Sequence, residues 1–408
     1  MISEKLRRLA SAATSMLALL TMLAGCATPV ATHDDADLPF DQAAATATDG
    51  LISQTKKLPA FLAKVEAKLA KRGVVVDPMI DGSSGQQTMA TKVLEQRVAE
   101  RVRVDHAQFD VLPFEAASLA RAQYLLTGTM TRLDAAQAGV ARGAIRGSFR
   151  INLAMTDLKT GQVVAQAAAR ARDEGLDTNP TAYYRDSPVL VKDKVVEGYI
   201  RTSETPPGSP ADRTYFERIA AATLINEATT AYNADRYPEA LSLYRSVQAT
   251  PAGEQLRVLN GIYLANWKLG KTAEAEQAFG KVVTYGLANN SLGVKFLFNP
   301  GTTDFWSDSR VSGPYGLWLK QIARQATAAK VCMNVIGHTS HTGSEQINER
   351  LSQQRAVYIK QRLESEAPEL AVRTKAAGMG FRENIVGTGT DDARDALDRR
   401  VEFKMAGC

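Results

Sequence analysis

The chain has 408 residues, room for two to four domains, with 45% apolar and 23% charged residues, so composition does not limit core building. A net charge of +5 over this length, with no dense Lys/Arg patch carrying interleaved aromatics, gives no reason to expect a nucleic-acid partner. No nucleophile elbow, phosphate loop or outstanding pair of carboxylates is present, so neither an enzyme nor a cofactor is expected.

The N-terminus carries a positive stretch (Lys5, Arg7, Arg8) and a short apolar run from Leu9 to Leu23, too short to span a bilayer. It ends in Leu23-Ala24-Gly25-Cys26, which resembles the lipobox of bacterial lipoproteins. The resemblance implies a signal peptide over 1–25 and a lipidated Cys26. Ala27 follows instead of the Asp that resembles an inner-membrane retention signal, so the expected location is the periplasmic face of the outer membrane. Two or three acyl chains make such an anchor stable. Residues 26–50, rich in Ala, Thr, Asp and Pro, read as a flexible tether.

Residues 51–175 alternate helix and strand patterns and predict an α/β sandwich. A helix is expected over 58–71, a buried strand at Val74–Val76 and a second helix over about 86–102. Strands follow at 109–112 and 124–129, then a hairpin of 148–157 and 162–172 turning at Leu158-Lys159-Thr160-Gly161. "YLLTGTMTRL" and "INLAMTDLKTGQVVAQAAARA" resemble the periplasmic domain shared by CsgG, LpoB and the N-terminal part of TolB, lipoproteins and envelope proteins that bind partners or assemble. Residues 176–212, with Pro180, Pro188, Pro206, Pro207 and Pro210, read as a linker.

Residues 213–290 resemble tetratricopeptide hairpins. One unit reads Ala228, Tyr232, Tyr237, Ala240, Tyr244 and a second Tyr263, Trp267, Gly270, Ala275, Phe279. Ala240 and Ala275 stand 35 apart against the family's 34. Two units are fewer than a self-sufficient array needs, so they are expected to lean on a flanking domain. The family resemblance implies a protein partner there.

Residues 291–408 change pattern again. A strand is expected at 294–298, a helix over 314–329, a strand at 332–336 and a helix over about 345–363. The run "VIGHTSHTGSEQINERLSQQRAVYIKQRL", with the later "GMGFREN" and "DRRVEF", is similar to the signature of OmpA-like peptidoglycan-binding domains. It implies a βαβαββ fold in a multidomain α+β chain, with peptidoglycan as ligand through the diaminopimelate of its stem peptide. By that resemblance Arg355 grips a ligand carboxylate in a bidentate fork.

Read physically, Ile347, Leu351, Arg355 and Ile359 recur every four positions and put a guanidinium in line with core residues. A buried, permanently charged group needs an acceptor: a ligand, or a protein carboxylate near the C-terminus. Asn348 sits on the adjoining face. Thr339, Ser340, Gly337 and Gly343 are expected to leave amide N–H groups open near the helix start. Ser340 stands where the family has Asp and cannot counter an ammonium; this costs on the order of 1 kcal/mol, roughly five- to tenfold in affinity. Weaker wall binding, a modified diaminopimelate or lost binding all remain open. Asp398 replaces the family's Asn, and Arg400 is expected to absorb its charge. His338 and His341 are spaced too loosely for a metal site. Cys332 and Cys408 either bridge, if their strands are antiparallel neighbours, or stand as separate thiols.

Together these readings give a non-catalytic lipoprotein that tethers the outer membrane to the wall. The alternative is an envelope assembly adaptor that docks a protein through its N-terminal and helical regions.

Overall fold

The computed structural model describes residues 36–55, 71–133, 147–389, 392 and 394–408. The signal peptide, Cys26 and nearly all of the helix expected from Leu58 lie outside these residues.

The N-terminal sheet runs β3–β1–β4–β5–β6 (β1 Arg72–Val76, β2 Ile80–Asp81, β3 Phe109–Leu112, β4 Tyr124–Leu133, β5 Ser148–Asp157, β6 Val163–Arg172), with β2 also paired to β4. β1 is parallel to β3 and β4, while β4, β5 and β6 are antiparallel. β6 alternates strictly between buried and half-buried residues, the period-2 signature of a strand covered on one face. What covers it corrects the sequence reading. Residues 40–50 belong to helix α1 (Phe40–Gln54), not to a tether. Its buried face (Phe40, Ala43, Ala44, Ala47, Leu51) packs on the alanines of β6, because two surfaces of small side chains approach closely. Gln54 locks the contact by donating to the Gln166 carbonyl at 2.6 Å. Helix α2 (Met89–Asp105) lies in the same layer and starts at a capping box of Thr88 and Thr91.

The segment 176–212 is likewise no linker. It holds a helical turn at Ala182–Asp186 and helix α3 (Lys194–Glu204), N-capped by the Asp193 carboxylate. Val195, Val196 and Tyr199 bury against Val75 and Leu125 on the second face of the sheet. The prolines punctuate the ends of this segment, but a capped helix with an apolar face fits between them. The sheet is therefore helix-covered on both sides.

Four helices follow in two antiparallel hairpins: α4 (Ile219–Asn233), α5 (Tyr237–Gln248), α6 (Leu256–Lys268) and α7 (Thr272–Ala288). Ala240 and Ala275 are fully buried where the helices of each hairpin cross. At Gly261 a Cβ would sit 2.4 Å from the Tyr244 ring, so only glycine lets α6 seat against α5.

The second sheet has the order β7–β10–β8–β9 (β7 Leu292–Val294, β8 Cys332–Gly337, β9 Thr374–Gly378, β10 Val401–Ala406). β10 is antiparallel to β7 and β8, and β8 is parallel to β9. Helices α8 (Tyr315–Ala328) and α9 (Glu345–Glu366) pack on it. The strand expected over 294–298 ends early. The Lys295 amide donates to the Pro188 carbonyl and the Leu297 amide to Tyr315 Oη, so these donors leave the ladder. Cys332 pairs with Ala406 in the ladder and is joined to Cys408 by a disulfide, Cα to Cα 5.3 Å. One apolar core runs from Tyr183 through the helical hairpins to Phe403, and residues 36–408 form one compact unit.

Candidate functional site

Helix α9 begins at Ser344, whose Oγ accepts from the Ile347 amide. Its buried face is Asn348, Ser352, Arg355, Ala356, Ile359 and Leu363. The expected stripe of every fourth residue is corrected: Ile347 is 58% exposed while Ile359 is fully buried. At 3.6 residues per turn each step of four drifts about 40°, so the row begins in solvent and ends in the core.

Arg355 is 5% exposed. Its Nε donates to the Thr302 carbonyl at 3.1 Å and its Nη2 to the Asn299 carbonyl at 3.4 Å, and the guanidinium lies 4.8 Å from the Phe298 ring centre. The chain itself thus fixes the side chain against the loop between β7 and α8.

The expected set of open amides is corrected at Thr339 and Gly337. The His338 amide donates to the Arg400 carbonyl and the Thr339 amide to the Gly380 carbonyl. Gly337 is a strand residue facing Gly378 and Val401; a Cβ there would meet the Ser352 carbonyl oxygen at 2.2 Å. Its glycine serves the close crossing of α9 over β8. Asn348 donates to the carbonyls of Thr342 and Ser344 at 2.8 and 3.2 Å, clipping the loop that follows β8. Thr339 is 2% exposed, and its Oγ1 has no partner among the described residues. Asp398 does not meet Arg400. Its carboxylate accepts from the amides of Ile385, Val386 and Gly387 at 2.7, 3.0 and 2.8 Å, and burial raises its pKa against their pull. Arg400 pairs with Glu402 at 2.7 Å, two positions on along the chain.

His338 does not join His341. It lies buried, Nδ1 4.0 Å from Glu383 and Nε2 3.9 Å from Glu402. Burial, then Arg400, pushes its pKa down to about 4. Burial pulls the Glu402 carboxyl up, but Arg400 and Lys404 outweigh it and hold it at about 2. These three ligand-type groups stand within 4.8 Å of one another, yet Glu402 is already engaged by two cations of its own chain, which disfavours a metal.

Thr339, Ser340, Asn348 and Arg355 all line one cleft of about 720 Å³. Gly337 does not. The opposite wall comes from residues that no local motif singled out for this role: Tyr263, Trp267 and Lys268 of α6, and Trp306 and Arg310 before α8. Their position is a product of tertiary packing, in which Trp318 of α8 donates to Tyr263 Oη at 2.7 Å. Among the described lining residues six are cationic (Arg185, Lys268, Lys295, Arg310, Arg355, Arg399). Two, Asp186 and Asp392, are acidic. The chain already meets most of these cations: Arg185 and Lys268 pair with Asp186 at 3.1 and 2.8 Å, Arg310 with Asp308 at 2.6 Å, and Arg355 with two carbonyls, so the cleft keeps a modest positive balance in a partly apolar setting.

No protein-family model matches the chain. Over 77 residues it is 36% identical to "Probable lipoprotein YiaD" of Escherichia coli K12, a match covering 19% of this chain and about a third (34%) of the relative's length. Solved structures similar to it include the peptidoglycan-associated lipoprotein of Burkholderia pseudomallei (21% identity, 28% of this chain, 89% of that one, TM-score 0.23). Another is the cell wall anchor of the type VI secretion system of Pseudomonas aeruginosa (24% identity, 28% of this chain, 80% of that one, TM-score 0.23).

Proposed function

We propose that this chain is a non-catalytic outer-membrane lipoprotein, anchored through Cys26, that holds peptidoglycan by the diaminopimelate residue of the stem peptide. The observation that carries the reading is the gathering of Thr339, Ser340, Asn348 and Arg355 into one cleft whose lining has more cations than carboxylates. The unpartnered Thr339 Oγ1 supplies a buried polar atom ready for a ligand. The relatives' own names, a lipoprotein and wall-associated proteins, agree with it. The test is co-sedimentation of the full chain, made lipid-free by Cys26→Ala, with purified sacculi. Wild type is expected in the pellet, and Ser340→Trp, which puts an indole into the cleft, in the supernatant. Wild type remaining in the supernatant overturns the reading.

The second reading, an assembly adaptor, has one observation in its favour. Met89, Val93 and Val104 of α2 are 42%, 37% and 67% exposed and fall within about 60° of one another around the helix. With the exposed Gln96 and Glu100 between them they make a mixed surface, of the kind a protein contact can use. A photo-crosslinker at Val93 that captures no protein in cells counts against it.

A further inference from the structure

We propose that the helical wall of the cleft is a second subsite, for the N-acetylated amino sugar to which the wall's stem peptide is attached. The inference rests on the wall-binding reading and extends it. The cleft's volume of about 720 Å³ lies in the range that encloses a ligand of several hundred daltons, far more than one diamino acid requires. Its lining combines two features that point to a glycosylated anionic peptide. Its cations outnumber its carboxylates even with Arg310 paired to Asp308, which suits a ligand bearing carboxylates; a stem peptide has them and a neutral glycan lacks them. Flat aromatic faces are the other. Trp306 is 38% exposed, an indole left open to solvent in the same cleft as Trp267 and as the Thr339 and Arg355 side chains. An indole presents a broad, rigid, electron-rich face with a polar N–H edge, which suits the C–H face of a pyranose ring, while the sugar's hydroxyls and acetamido group reach polar neighbours. Lys268 and Arg310 border the same space; Lys268 is paired with Asp186 and Arg310 with Asp308, and each keeps further N–H donors for those groups. Neither wall suffices alone. The loop after β8 supplies the polar contacts, and α6 with the β7–α8 loop supplies the stacking surface.

The experiment is titration calorimetry of the lipid-free full chain with two defined ligands: a diaminopimelate-containing tetrapeptide, and the same tetrapeptide on its N-acetylglucosamine–N-acetylmuramic acid disaccharide. The disaccharide form is expected to bind at least tenfold more tightly. Trp306→Ala is expected to erase most of that gain while leaving tetrapeptide affinity within twofold, and Trp306→Phe to keep part of it. Equal affinity of the two ligands for wild type overturns the sugar subsite and leaves wall binding standing. An equal loss for both ligands in Trp306→Ala also overturns it, since the residue would then act through the fold. Binding of neither ligand overturns the subsite and the wall reading together.

Discussion

Trp318 donates its indole N–H to the hydroxyl of Tyr263 across 2.7 Å, and this one bond joins α8, beneath the second sheet, to α6 of the helical hairpins. Both rings are buried, and both also line the cleft. Tyr263→Phe leaves the indole N–H unsatisfied and is expected to cost about 1–3 kcal/mol. Trp318→Phe removes the donor together with packing surface and should cost at least as much. The double variant is expected to lose less than the sum of the two. Because one core spans both regions, urea unfolding of wild type should show a single transition over them. Two well-separated transitions in tryptophan fluorescence would show that the hairpins and the second sheet fold independently.

The buried ionisable groups give the stability a pH dependence with two opposed slopes. His338 has its pKa pushed from 6.5 to about 4, by burial first, so the folded chain releases its proton earlier than the unfolded chain. Its contribution is present above pH 6.5 and is lost as pH falls toward 4, at most about 3 kcal/mol. Asp77 is raised from 3.8 to about 7, again by burial, although Tyr215 Oη donates to it. Its contribution is present below pH 3.8 and is lost as pH rises to 7, at most about 4 kcal/mol. Between pH 4 and 6.5 these two contributions therefore oppose each other. Asp77→Asn should expose the rising slope of His338, and His338→Asn the falling slope of Asp77. Urea midpoints across this range check both, and parallel profiles for all three proteins would contradict the assignment.

The disulfide closes a loop of 76 residues around most of the C-terminal fold. In the chain-entropy picture that loop length gives about 4 kcal/mol of stabilisation. Cys408→Ser is expected to lower the thermal midpoint by several degrees while leaving sacculus sedimentation intact, because neither sulfur lines the cleft. Addition of dithiothreitol should move wild type to the variant's midpoint and leave the variant unchanged.

Legibility in the sequence followed the range of the interactions. The hairpin of β5 and β6 could be read because alternation and a four-residue turn are local, and the helix α9 because a capping serine precedes a long run without breakers. Residues 176–212 read as a linker because their five prolines outweigh a subtler sign, Asp193 placed to cap the helix that buries Val195, Val196 and Tyr199. Arg355 could be singled out as a buried charge, but its acceptors, the carbonyls of Asn299 and Thr302, lie more than fifty residues away and carry no side-chain signature. Trp267 reads as a repeat aromatic and no motif marks Trp306; only the packing of α6 beside the β7–α8 loop brings both to the cleft with the loop after β8.

Ser340 is where the chemistry of the site can be altered most directly. It is 5% exposed, lines the cleft, and carries a hydroxyl where the OmpA-like signature has a carboxylate. A hydroxyl accepts a hydrogen bond from an ammonium but supplies no charge to balance it. Ser340→Asp restores that charge. Burying a carboxylate at this position costs stability, so the variant's urea midpoint is expected to fall below that of wild type. Affinity for a stem peptide with a free ammonium on diaminopimelate is then expected to rise roughly five- to tenfold. The same peptide acetylated on that nitrogen should gain nothing, because the group that would meet the new charge has become neutral. Calorimetry with the two peptides on the two proteins separates the effects. An equal gain for both peptides would mean that the carboxylate acts on the protein and not on the ligand's amino end. Unchanged affinity for the free peptide would place the ammonium away from residue 340.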